Sequence, residues 1–168
     1  MRHMAQATPA AVEGNLVAQG HRYAVCVARF NSFITERLLE GALDVLVRHG
    51  ADAADIRVYR CAGAWELGPL AARVARAGKI DGLVALGALI RGATDHYQLI
   101  SGELTRVLGQ ISLEGAVAPQ PLAVAFGVLT TESIEQAIER AGTKAGNKGA
   151  EAALACIEQV NLLRAVKG

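Results

Sequence analysis

The chain predicts a three-layer α/β/α fold built around a four-stranded parallel sheet. Three observations carry that expectation. The runs Tyr23–Ala28 and Gly82–Ile90 are apolar without alternation, as in strands covered by helices on both faces. Segments whose apolar residues recur with the 3.6-residue helical period follow the strands, giving the order β-α-β-α-β-α-β-α-α. Finally, 168 residues with 52% hydrophobic and 20% charged content make one domain with a full core.

The chain opens with Met1 to Glu13, small and mixed residues that read as a mobile tail without a signal-peptide core, ahead of a single domain over 14–168. Gly14 to Gly20 reads as a short extra strand between two glycines. Tyr23–Ala28 is the first firm strand, and Arg29-Phe30-Asn31-Ser32 breaks it. A helix follows over 34–49, with Leu38, Leu39, Ala42, Leu43, Leu46 and Val47 on its apolar face and Gly50 as C-cap.

The second strand spans 56–61 and gives way to Ala62-Gly63-Ala64-Trp65-Glu66. A helix over 67–77 admits Pro69 in its first turn. The third strand, 82–90, stops at Arg91-Gly92-Ala93-Thr94, and a helix over 97–113 carries Ile100, Leu104, Val107, Leu108 and Ile111 as its stripe. Pro119 and Pro121 keep 115–121 a loop. The fourth strand spans 122–129, then a short helix spans 134–140, with Thr131 or Ser133 as cap. A glycine-rich kink or tight turn over 141–149 leads into a last helix, 150–164.

In such a sheet the four strand C-termini lie on one edge, where α/β folds bind ligands. That edge gathers Phe30, then Trp65 and Glu66, then Arg91, Thr94 and His96, then Phe126 to Thr131. Aromatic faces, a carboxylate, a Gly-Ala-Thr turn and an imidazole suit a planar heterocycle together with a phosphate ester and one proton-transfer group. Several classes are excluded. A net charge of +1 without a basic block gives nucleic acid or membrane surfaces no electrostatic hold. No apolar run reaches the ~18–20 residues of a membrane span, which points to the cytoplasm. Neither a Walker lysine motif nor GxGxxG is present, and no nucleophile elbow. The four histidines are scattered, and Cys26, Cys61 and Cys156 lack CxxC spacing, so no metal is expected.

Five blocks in order, Arg29-Phe30-Asn31, Gly63-Ala64-Trp65-Glu66, the stretch Leu86 to Tyr97, Phe126-Gly127-Val128-Leu129-Thr130 and the stretch Glu135 to Gly149, closely resemble the 6,7-dimethyl-8-ribityllumazine synthase family. The resemblance covers residues 14 to 165. It implies a flavodoxin-like sheet and a transferase of riboflavin biosynthesis. That enzyme condenses 5-amino-6-(D-ribitylamino)uracil with 3,4-dihydroxy-2-butanone 4-phosphate and needs no cofactor. It implies that Phe30 stacks on the pyrimidine and that Ala64, Trp65 and Glu66 line the ring and ribityl site. Ala88, Leu89 and Ile90 add ring contacts. Ala93 and Thr94 hold the phosphate, with Arg140 as cationic partner and Lys148 nearby. His96 transfers protons. Phe126 and Arg140 are expected from an adjacent subunit.

The resemblance further implies a homopentamer, twelve of which form a 60-subunit icosahedral shell, with riboflavin synthase as a candidate companion. Gly14–Gly20 then becomes a strand added to a neighbour's sheet. The chain departs from the family pattern at Cys61-Ala62, at Asp95 beside the phosphate turn, at Gln98, and in a lengthened 115–121 loop. A non-catalytic flavin- or lumazine-binding relative, or one that only forms a cage, stands as the alternative. A non-catalytic relative would keep Phe30 and Trp65 but lose His96 or Arg140, and both are present.

Overall fold

The computed structural model describes residues 8–166; the first half of the expected mobile tail, residues 1–7, lies outside the described residues. A parallel four-stranded sheet has the spatial order β2-β1-β3-β4, with β1 at Tyr23–Ala28, β2 at Ile56–Cys61, β3 at Gly82–Ile90 and β4 at Ala123–Thr131. The register pairs Val25 with both Val58 and Val84, and Val84 with Ala125. This is the helix-covered parallel sheet that the apolar runs predict, in the flavodoxin-like form that the family resemblance implies.

Alternation along β1 and β3 splits the core in two. Tyr23, Val25, Val27, Val84 and Leu86 face helices α1 (Ser32–Arg48) and α5 (Lys148–Ala165). Ala24, Cys26, Leu83 and Ala85 face α2 (Ala64–Arg76) and α3 (His96–Ala116). Both strands are buried on both faces, which is why their sequences lack polar alternation. The helices α1 and α5 cross closely: a Cβ at Gly149 would lie 2.0 Å from the Leu38 carbonyl oxygen, so only glycine fits.

The edge strands differ. Residues 57–60 of β2 are exposed, including Val58 and Tyr59, and β4 leaves Phe126 exposed. Beyond β4 come the short α4 (Ile134–Glu139) and an antiparallel hairpin, β5 (Ala141–Thr143) and β6 (Gly146–Asn147), where a kink or tight turn was expected. Gly142 and Gly146 take the positive φ values that this tight hairpin demands.

The segment 14–20 forms no strand within the single chain. It lies along α5 instead, with the Asn161 amide donating to the carbonyls of Asn15 and Val17 at 2.9 and 3.0 Å. The Ala18 N–H also donates to the His49 carbonyl at 2.8 Å. At the far end of α3, the helix runs to Ala116, three residues past the expected end. The Leu122 N–H closes a tight turn on the Gly115 carbonyl at 2.9 Å. Among the described residues, no helix is long and apolar enough to cross a membrane.

Candidate active site

At the C-terminal edge of β1, β2 and β3 lies an open cleft of about 720 Å³. Its walls bring together Phe30, Ala64, Trp65, Glu66, Ala88, Leu89, Ile90, Thr94 and His96 from three separate stretches of sequence. Ala93 belongs to the same turn but does not line the cleft. Another cleft, of about 520 Å³, sits between α2 and α3 near their C-terminal ends and contains none of these groups. The former is the candidate site because its rings, carboxylate, hydroxyl and imidazole converge.

Most of the chain's aromatic side chains are withheld from the core. Phe30 is 72% exposed, Trp65 60% and Phe126 47%, while Tyr23 alone is fully buried. Large apolar rings left open to water forgo the stabilisation of burial, and a patch of them at a cleft marks a ligand or subunit contact. Asn31 explains how Phe30 is presented. Its backbone is in the left-handed region at φ +61°, and its amide donates to the Ala88 carbonyl at 2.9 Å. The Phe30 N–H donates to the Ala62 carbonyl at 2.9 Å. The β1 loop is thus tied to both neighbouring strands. Asn31 also lines the cleft and was given no role from sequence. Its signal was present, since asparagine is among the few residues that tolerate positive φ at a sharp strand-to-helix turn.

Three helices begin at this edge, and none has a side-chain cap. The caps are Asn31 for α1, Gly63 for α2 and Asp95 for α3. Elsewhere, Ser133 caps α4 by accepting from the Gln136 N–H, and Asn147 caps α5 by accepting from Gly149 and Ala150. Unfilled helix N-termini present N–H donors and positive dipole ends to whatever occupies the cleft.

Two sequence expectations are corrected here. Ala64, Trp65 and Glu66 were placed in a loop ahead of a helix starting at 67, but they form the first turn of α2. Pro69 is therefore inside the helix, and the Trp65 carbonyl loses its helical donor at the rim of the cleft. His96 was placed in the turn before its helix and is instead the first residue of α3.

Arg91 also behaves differently from a free cation. Its guanidinium pairs with Glu132 at 2.7 Å and lies over the Tyr97 ring, 4.7 Å from the centroid. The free groups at the edge are Glu66 and His96, which make no ion pair among the described residues. Beneath the rim, Cys61 donates weakly to the Gly63 carbonyl at 3.5 Å. Its thiol pKa is raised, first by burial and then by the Glu66 carboxylate.

The structure does not bring Phe126, Arg140 and Lys148 into this cleft. They line a separate depression of about 240 Å³ along the edge strand β4, together with Thr130 and Thr131. The two clefts share no lining residue. Arg140 donates to the Gln136 carbonyl at 3.1 Å and is only loosely paired with Glu139 at 3.8 Å, while Lys148 is held by Glu151 at 2.6 Å. Among the described residues no group of three or more potential metal ligands occurs.

A parallel sheet with an aromatic-lined, carboxylate- and imidazole-bearing cleft at its C-terminal edge defines a ligand-binding α/β enzyme class. A sequence model of the 6,7-dimethyl-8-ribityllumazine synthase family matches residues 20–164. The chain is 53% identical to the 6,7-dimethyl-8-ribityllumazine synthase of Myxococcus xanthus strain DK1622 over 154 residues, 92% of each chain. It is 53% identical to the protein of that name from Chlorobium phaeobacteroides strain DSM 266 over 153 residues, 91% of this chain and 96% of the relative. The chain belongs to the 6,7-dimethyl-8-ribityllumazine synthase family.

Proposed function

We propose that the chain condenses 5-amino-6-(D-ribitylamino)uracil with 3,4-dihydroxy-2-butanone 4-phosphate. The products are 6,7-dimethyl-8-ribityllumazine, phosphate and water, in the penultimate step of riboflavin biosynthesis. The observation that carries this reading is the convergence of Phe30, Trp65, Glu66, Thr94 and His96 on one cleft in a member of this family. Phe30 offers a face to the pyrimidine. Ala64, Trp65 and Glu66 receive the ring and the ribityl chain, and Ala88 to Ile90 supply further ring contacts. Ala93 and Thr94 hold the phosphate in the turn before α3.

The 5-amino group attacks the ketone and a first water leaves to form an imine, phosphate is eliminated, and the ribitylamino nitrogen then adds to the remaining carbonyl, from which a second water leaves as the ring closes. Each step moves a proton, a task suited to an imidazole, and His96, which lines the cleft, is our candidate to carry it. Phosphate departs with its charge, so a guanidinium fork from Arg140 stabilises the leaving group more than the bound substrate. Mixing the two substrates with the protein and following lumazine absorbance and fluorescence tests the reading. Failure of that signal would favour a binding-only relative.

The same proposal includes assembly. The clefts at β3 and at β4 are complementary halves, one with rings and imidazole, the other with Phe126, Arg140 and Lys148. Being separate in one chain, they meet only if the β4 face of one subunit covers the β3 cleft of the next. Such a head-to-tail contact closes into a ring, and a pentamer is the expected closure.

The free β2 edge, with Val58 and Tyr59 exposed, can accept a neighbour's strand. Because 14–18 is held on α5, the segment free to reach it is residues 8–13. The short β5–β6 hairpin carries no insertion to block packing of twelve pentamers into a shell. All three cysteines are free, in keeping with a reducing cytoplasm.

A further inference from the structure

We propose that Arg91 is a positioning residue that sets the phosphate turn. It lies at the end of β3, immediately before Gly92-Ala93-Thr94-Asp95 and the start of α3. Gly92, Thr94, His96 and Tyr97 line the cleft, and Arg91 does not. Three contacts fix it instead. Its N–H donates to the Thr131 carbonyl at 2.8 Å, its Nε meets Glu132 at 2.7 Å, and its guanidinium covers Tyr97 at 4.7 Å from the centroid. The turn it precedes is exposed throughout, and no side chain caps α3. Without outside anchors a short glycine-containing turn samples many conformations, and a phosphate must then meet the entropy of ordering it.

The clamp binds both ends of that turn. Its near end is tied to β4 through Thr131 and Glu132. Its far end is tied through Tyr97, which follows His96. One planar guanidinium can do both because its edge donates to the carboxylate while its face stacks on the ring. A lysine could keep the charge but not both contacts. Glu132 follows β4 directly, so the clamp also links the strand that carries Phe126 to the turn that carries Thr94. The inference rests on the reading of Thr94 as a phosphate contact.

The test measures KM for each substrate separately, and competition by inorganic phosphate, in Arg91→Ala, Arg91→Lys, Glu132→Gln, the double variant Arg91→Ala/Glu132→Gln, and Thr94→Ala. For an exposed pair plus a stacked cation, Arg91→Ala should raise the KM for the phosphate substrate and weaken inorganic phosphate competition about three- to tenfold. The KM for the uracil substrate should change less than about twofold. Glu132→Gln should shift in the same direction by less, Arg91→Lys should restore part of the loss, and the double variant should be no worse than Arg91→Ala alone.

Four results would overturn the proposal: an unchanged phosphate KM in Arg91→Ala, full rescue by lysine, a lowered phosphate KM in Glu132→Gln, or additive effects in the double variant. Thr94→Ala separates the two layers. If it raises the phosphate KM while Arg91→Ala does not, the clamp fails and the phosphate turn stands. If neither does, the phosphate reading fails with it.

Discussion

The two ends of the sheet carry the same kinds of side chain and use them in opposite ways. At the N-terminal end, His21 is buried with its Nδ1 3.1 Å from the Tyr23 hydroxyl. The buried Asp81 accepts from the Arg22 N–H at 2.7 Å and from the Arg164 guanidinium at 2.7 Å, with Gln120 at 3.4 Å. The buried imidazole and carboxylate there both have partners. At the C-terminal end, His96, Glu66, Phe30 and Trp65 stand exposed, three helix starts lack side-chain caps, and Arg140 has one hydrogen bond to the Gln136 carbonyl and only a loose ion pair with Glu139. Satisfied polar groups stabilise a fold, whereas polar groups left unpartnered at the mouth of a cleft are available to a substrate. Exposure and missing partners, more than residue type, separate the site from the scaffold.

Substitutions should divide along that line. His96→Ala is expected to slow lumazine formation about 10²–10⁴-fold, with residual turnover from positioning. Its urea midpoint should match the parent, because the side chain is exposed. A large loss of stability with normal turnover would invert the comparison. Arg140→Ala should weaken use of the phosphate substrate much more than binding of the uracil, as equilibrium competition would show.

Asp81→Ala should do the reverse. Leaving the Arg22 N–H and Arg164 unpaired is expected to cost about 1–3 kcal/mol in chemical denaturation, with unchanged turnover per folded protein. The pH response offers a finer cut. The His21 pKa is lowered from 6.5, chiefly by burial and then by Arg164. The unfolded chain therefore takes up this proton first, and stability should fall as pH drops below 6.5. His21→Gln should flatten that part of the stability curve, and a curve unchanged by the substitution would remove His21 as its source.

The smallest effect concerns thiols. Burial pushes the thiol pKa of Cys26 and of Cys156 up to about 12. In the native protein at pH 8 neither should react with a thiol reagent, and half-buried Cys61 should react slowly. All three should react at once in denaturant.

The strands and the split core were legible in the sequence because β1 and β3 are buried on both faces, and doubly buried strands write themselves as unbroken apolar runs. The start of α4 was legible because Ser133 is a real cap. The starts of α1, α2 and α3 were missed by one to three residues because none carries a side-chain cap to mark it: Asn31 spends its amide on Ala88, Gly63 has no side chain, and Asp95 makes no cap. The candidate site residues came from the family resemblance, which also implied that Phe126 and Arg140 belong to an adjacent subunit; that the single chain holds them in a separate depression follows from strand order, which the residues alone do not give. Phe126 and Arg140 lie on β4 and beyond α4, past the sheet edge. Nor could the sequence say that Arg91 is turned toward Glu132 and Tyr97 and does not line the cleft.

The central claim is that a working site needs two subunits, one giving the His96 cleft and the next giving Phe126 and Arg140. Mixing His96→Ala and Arg140→Ala chains, unfolded together and reassembled, tests it most directly. Each variant alone should be poorly active. In a randomly mixed head-to-tail ring about a quarter of the interfaces pair an intact cleft with an intact Arg140, so lumazine formation should recover to about a quarter of the parent rate. Mixed assemblies no more active than the average of the two variants would contradict a shared site.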